Sequence, residues 1–213
     1  PSYRGAAPVV HAILKGEKET GVTLFRIERG LDSGPVVACA GAEIGAGETA
    51  GELEERLAVL GAGLLAEQLP LIAAGEAAGE PQDESRVSLA PKVSKADGWI
   101  ECNTPAAAVH DQVRAMNPWP LAHSFLSPAR GKPARVSILR SAPAEEDDGA
   151  ESRPPGTVCR VEGDGFSVSC SSGALRVLEL QRDGKSAMDA AAYLRGSPLE
   201  PGDLFNSSPP ETR

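Results

Sequence analysis

A single carboxylate, Asp32, stands between two glycines in the stretch Glu28-Arg29-Gly30-Leu31-Asp32-Ser33-Gly34. Glycine takes backbone angles closed to other residues and lets a ligand approach the main chain. Such a loop presents one acid at a fixed point, where it can hold or move a proton for a reacting group. Asp beside glycine is also ordinary turn chemistry, so the loop gains meaning only with its surroundings. The opening Pro1-Ser2-Tyr3-Arg4-Gly5-Ala6-Ala7-Pro8 adds a cation, Arg4, against another glycine. His11, His110 and His123 each read as solvated surface histidines. Cys39, Cys102, Cys159 and Cys170 include no Cys-x-x-Cys pair, so a metal site is not expected. They read as reduced thiols, with Cys159 and Cys170 in a core or sheet.

The elements that would hold these residues can be read from periodicity. Residues 6–15 have Val9, Val10, Ile13 and Leu14 at helical spacing. Residues 20–27 alternate and are β-branched, so they predict a strand. The Asp32 loop comes next, then a second short strand over 35–40. Thr49 with Glu52 three residues on is a capping box. The helix it starts carries Leu53, Leu57, Leu60, Leu64 and Leu65 on one core face and runs toward Ile72, with a break expected near Pro70. Residues 75–83 read as a turn or linker, and 87–101 as extended chain.

A helix over 105–116 turns Val109, Val113 and Met116 inward, and Pro118 and Pro120 stop it. Short strands then recur over 122–126, 135–141, 156–161, 165–170 and 174–181. Strands this short and glycine-punctuated predict a small barrel or sandwich. Trp119, between the two prolines, reads as packed into that barrel.

The 213 residues allow one large or two small domains. A net charge of −9 argues against a strongly basic nucleic-acid binder. Residues 107–213 carry 12 basic and 14 acidic side chains, and five of those acids lie in Glu145-Glu146-Asp147-Asp148-Gly149-Ala150-Glu151. That run reads as a solvated insertion, which leaves room for a basic face elsewhere. We find no apolar run long enough to span a bilayer and no signal-peptide pattern. The chain starts at Pro, which predicts a fragment, a processed product or a truncated reading frame.

The Asp32 loop and the Arg4-Gly5 segment together resemble the signature of the 10-formyltetrahydrofolate-dependent formyltransferases. Arg114-Ala115-Met116-Asn117-Pro118-Trp119-Pro120 and Leu180-Gln181-Arg182-Asp183-Gly184-Lys185 are similar to the methionyl-tRNA branch of that family. The resemblance runs from Pro1 to about Asp203. It implies an α/β-plus-β chain: the C-terminal remnant of a doubly wound formyltransferase domain (1–80), a linker (81–104), a small open OB-like β-barrel (105–205) and a disordered tail (206–213).

The resemblance also implies a role for Asp32. In the family an Asn, a His and an Asp share the chemistry. Pro1 matches the end of a segment that lies after the Asn-x-His motif, so the Asn and His fall outside this sequence. Asp32 matches the Asp and is the expected catalytic residue. Pro1, Arg4, Gly30, Leu31, Asp32 and Gly34 are expected at the folate end of the site, with Arg4 supporting the loop. Lys92, Lys95 and Arg114 are expected to meet tRNA phosphates. The implied substrates are 10-formyltetrahydrofolate and initiator methionyl-tRNA, for a cytoplasmic monomer without a membrane partner. Two alternatives stay open: another formyl acceptor (an amino sugar or water), or a non-catalytic RNA-binding module.

Overall fold

The computed structural model describes residues 2–129, 131–144 and 153–206. The chain divides into two compact units, Pro1–Val93 and Ser94–Arg213.

The first unit contains β1 (Tyr3–Gly5), α1 (Pro8–Leu14), β2 (Glu19–Phe25), β3 (Val36–Glu43), α2 (Ala50–Ala74) and β4 (Ser88–Ala90). Pro8 opens α1, where its missing N–H is no loss. β2 and β3 form an antiparallel hairpin, and β1 pairs in parallel with β4. Thus residues 88–90, within the expected linker, form a strand of this unit.

α2 starts at the expected capping box. The Thr49 N–H donates to Glu52 Oε2 at 2.9 Å, and the Glu52 N–H to Thr49 Oγ1 at 3.4 Å. The helix does not break at Pro70 but continues to Ala74. Its core face is shorter than the leucine spacing predicts. Ala50, Leu53 and Leu57 are buried, whereas Leu65 and, beyond that predicted face, Val59, Leu69, Leu71 and Ile72 are exposed. α2 is also long and apolar enough, by length and composition, to cross a membrane. This corrects the expectation that no run of that length exists. Its charges cluster at Glu52, Glu54, Glu55 and Arg56, and from residue 57 to 74 only Glu67 is charged.

The second unit is built on α3 (Ala106–Ala115) and the strands β5 (Ala122–Ser127), β6 (Ala134–Pro143), β7 (Val158–Glu162), β8 (Gly165–Ser169), β9 (Ala174–Arg182), β10 (Met188–Asp189) and β11 (Leu204–Asn206), with α4 (Ala190–Gly196) before the last strand. The strands lie in the order β11-β5-β6-β9-β8-β7, and β10 pairs β9. Main-chain bonds then join the two edges. Val158 N donates to Asp203 O at 2.8 Å, and Phe205 N to Gly156 O at 2.7 Å. The sheet is therefore nearly closed, which removes most of its free edge.

Val136, Ile138, Phe166, Val168, Leu175, Val177 and Leu180 are fully buried, and Val109, Val113 and Met116 of the α3 segment are buried too. Each such large side chain contributes roughly 1.5–3 kcal/mol by leaving water. Cys102, Cys159 and Cys170 are buried thiols, and Cys39 is exposed.

The acidic run from Glu145 to Glu151 lies outside the described residues, as do Pro1 and, from residue 207 on, the expected tail.

Candidate functional site

Residues 26–35 connect β2 to β3 and carry Asp32. The Arg26 N–H donates to the Pro35 carbonyl at 3.0 Å and closes the base of this loop. The glycines were expected to take the unusual backbone angles, but Asp32 itself does so, with φ +48°. Asp tolerates this left-handed region better than most side chains. Gly34 is needed for a different reason. A Cβ there would collide with the Arg26 carbonyl across the loop base. Asp32 is half-buried, Gly34 buried, and Gly30 and Leu31 exposed.

Arg4 supports this loop through an intermediary. It lies on β1, only 6% exposed. Its Nη1 donates to Glu84 Oε2 at 3.0 Å, and its Nη2 donates to Glu84 Oε1 and to Gln82 Oε1, both at 2.9 Å. The guanidinium holds the Glu84 carboxyl below the usual carboxylate range. Gln82 in turn donates from Nε2 to the Asp32 carbonyl at 2.8 Å and to the Gly34 carbonyl at 2.7 Å. The adjacent Gly5, at φ +139°, has no room for a Cβ against the Ala90 carbonyl. That accounts physically for an Arg-Gly pair: the Arg braces the loop, and the Gly lets β1 lie on β4.

Gln82 and Glu84 were missed by sequence reading. They sit at the end of a polar turn, and their partners are 48 to 80 residues away. A polar side chain that bonds backbone carbonyls leaves no pattern in sequence. Gln82 also lines a cleft of ≈ 310 Å³ with Ser2, Val36, Glu80, Pro81, Asp83 and Arg86. Among the described residues no group of three or more His, Cys, Asp or Glu could hold a metal ion.

The remaining expected site residues fare differently. Lys92 and Lys95 are exposed. Arg114 is not available as a surface cation. It is 4% exposed, and its guanidinium binds Asp111 Oδ1 at 2.8 Å from Nη2 and 2.9 Å from Nε. Its place on the inward side of α3 explains this. Trp119, expected to pack inward, is 51% exposed. The histidines also depart from expectation. His11 Nε2 donates to the Pro91 carbonyl at 3.0 Å. His110 is buried, with Nδ1 3.0 Å from Ser141 Oγ. His123 is buried with its Nδ1 donating to the Leu121 carbonyl at 2.9 Å, edge-on to Trp99. Burial pushes the His123 imidazole pKa below its ordinary value, and the nearby Arg135 adds to this.

The formyl transferase family model matches residues 1–69, and the model of the formyl transferase C-terminal domain matches residues 92–198. The chain belongs to the formyl transferase family. A relative from Citrifermentans bemidjiense, methionyl-tRNA formyltransferase, is 40% identical over 96% of this chain and 61% of its own length. The chain thus spans about three fifths of the length of the curated relatives it matches. Two solved structures share the fold. HypX from Aquifex aeolicus, in complex with tetrahydrofolic acid, is 21% identical with a TM-score of 0.66 over 97% of this chain and 37% of that one. The N-formyltransferase from Helicobacter canadensis, in complex with folinic acid and dTDP-3-aminofucose, is 20% identical with a TM-score of 0.66 over 85% of this chain and 62% of that one.

Proposed function

We propose that this chain is the later part of a methionyl-tRNA formyltransferase, which moves the formyl group of 10-formyltetrahydrofolate to the amino group of initiator methionyl-tRNA. The observation that carries this reading is the braced Asp32 loop within a segment that matches the family. Relatives at about 40% identity that bear this name support the choice of acceptor.

The reaction needs two services. The amine attacks the formyl carbon, and the tetrahedral oxyanion that forms needs hydrogen-bond donors. A proton must then pass from the amine to the departing N10 of the folate, which needs a positioned acid–base group. Asp32 supplies the second service. In the family it orients and keeps protonated the His of the Asn-x-His motif, and relays the amine proton through a water. Gly30, Leu31 and Gly34 shape the loop beside the folate, Arg4 belongs to its support, and Pro1 is assigned to the folate contacts. No step requires a metal.

The nearly closed sheet of the second unit is read as an OB-like barrel that accompanies the tRNA, with Lys92 and Lys95 as phosphate contacts. The chain then comprises a catalytic remnant (1–80), a connecting segment (81–104) that gives β4 to the first unit, the barrel (105–205) and a tail (206–213) whose first residue ends β11. On this reading the protein is a monomer, works in the cytoplasm and has no membrane role. The chain by itself is expected not to turn over, because the Asn and His fall outside it.

The test joins the chain to the N-terminal segment of the Citrifermentans bemidjiense relative and supplies 10-formyltetrahydrofolate. Formyl-methionyl-tRNA should form with the joined protein and not with the chain alone. Transfer to an amino sugar nucleotide or to water in place of methionyl-tRNA would favour the alternative acceptors. Turnover by the chain alone would mean the reacting groups differ from those named here.

A further inference from the structure

We infer that Gln82 is a positioning residue for Asp32: it fixes where the carboxylate stands by holding the Asp32 and Gly34 carbonyls of the loop. The inference rests on the reading of Asp32 as the proton-handling group.

Among the described residues, no hydrogen bond reaches the Asp32 carboxylate itself. Its place is therefore set by its backbone. That backbone is in the left-handed region, at φ +48°, which Asp tolerates better than most residues but which still gains from bonds that hold it. Gln82 supplies those bonds. A primary amide has two N–H donors on one nitrogen and a carbonyl acceptor. Both donors go to the loop, at 2.8 Å to the Asp32 carbonyl and 2.7 Å to the Gly34 carbonyl.

The acceptor faces Arg4, whose Nη2 donates to it at 2.9 Å. This fixes which way the amide points. A flipped amide would set its NH₂ against the guanidinium and its oxygen against two carbonyls. Arg4 is in turn buried and doubly bonded to Glu84. The brace therefore runs from β1 through Arg4 and Gln82 to the peptide groups of Asp32 and Gly34. A substitution that loosens it leaves the carboxylate chemically intact but free to swing, and a misplacement on the order of 1 Å costs a reacting group much of its effect.

Two substitutions separate the donors from the bulk. Gln82→Met keeps the length and loses all hydrogen bonding. Gln82→Glu keeps the contact to Arg4 and loses the donors to the loop. In this chain, hydrogen exchange of residues 26–35 should become about tenfold faster in both, the loss of one or two net hydrogen bonds. In the joined protein, both should lower kcat by about tenfold and leave KM for methionyl-tRNA unchanged, the signature of an interaction used in the transition state.

Combined with Asp32→Asn, Gln82→Met should add no further loss, because residues that act through one group are not additive. Unchanged exchange in the loop would overturn the inference. So would full kcat in both variants, or an equal loss with and without Asp32→Asn. If Asp32→Asn alone keeps normal turnover, the reading of Asp32 fails, and the loop exchange still decides whether Gln82 holds it.

Discussion

The two units differ in how much of their large apolar side chains they cover. In the second, Phe166, Ile138, Leu175 and Leu180 are fully buried, and the sheet closes on itself through Val158 and Phe205. In the first, α2 buries its opening turns and then exposes Val59 (75%), Leu69 (55%) and Leu65 (44%), while Ile27 and Leu31 of the Asp32 loop are exposed at 94% and 59%. Large exposed apolar patches mark interaction surfaces. On the proposed reading, the second unit carries its own core, and the first is one side of a larger catalytic domain. The site belongs to the unit with less core, so its order has to come from specific polar bonds such as those of Arg4 and Gln82.

The contrast is easiest to break in the core. Phe166→Ala should destabilise the second unit by about 3–5 kcal/mol through a cavity its neighbours cannot fill. Leu69→Ala, on the exposed side of α2, should change stability by no more than about 0.5 kcal/mol. Urea titration of each variant in this chain reads both. A large loss from Leu69→Ala would mean that face is covered.

A smaller effect should come from pH. Desolvation holds the His123 pKa below its ordinary value, with Arg135 lowering it further and the Leu121 carbonyl and Asp183 opposing. The unfolded chain then takes up the proton first, at about pH 6.5. Stability is full above that pH and falls as pH drops through it toward the folded pKa. The urea midpoint of the second unit should decline as pH falls through about 6.5, and His123→Leu should flatten that part of the decline. An unchanged slope in the variant would show that the imidazole is not the group responsible.

A stability effect as small as that of Leu69→Ala is expected at Trp119. It is half exposed in an otherwise well-packed unit, so Trp119→Ala should shift stability by no more than about 0.5 kcal/mol. A tRNA-binding titration then tells whether its free face stacks on a base. Weaker binding at unchanged stability supports stacking, and unchanged binding makes it a rim residue.

Much of the fold was legible because its signals are local. The capping box at Thr49 and Glu52, the hairpin around Asp32 and the five short strands from residue 122 to 181 each come from alternation, caps or turn residues. The strands Tyr3–Gly5, Ser88–Ala90, Met188–Asp189 and Leu204–Asn206 were not, since two or three residues show no period. At the site, Asp32 and Arg4 stood out because their two glycine-flanked segments together resemble the signature of the family. Gln82 did not, because its partners are carbonyls that any sequence has. Arg114, His110 and His123 look like surface residues by type. Their burial is decided by the inward side of α3 and by the closed sheet, which only the fold reveals.

If Asp32 handles the proton in formyl transfer, Asp32→Asn exposes that role most directly. Asn accepts the left-handed backbone as readily as Asp, so the loop keeps its shape while the charge is lost. Steady-state formylation of methionyl-tRNA by the joined protein should fall by about 10²–10⁴-fold, with loop exchange and urea midpoint unchanged. Turnover near the unsubstituted rate, in a protein with that loop intact, would contradict the account.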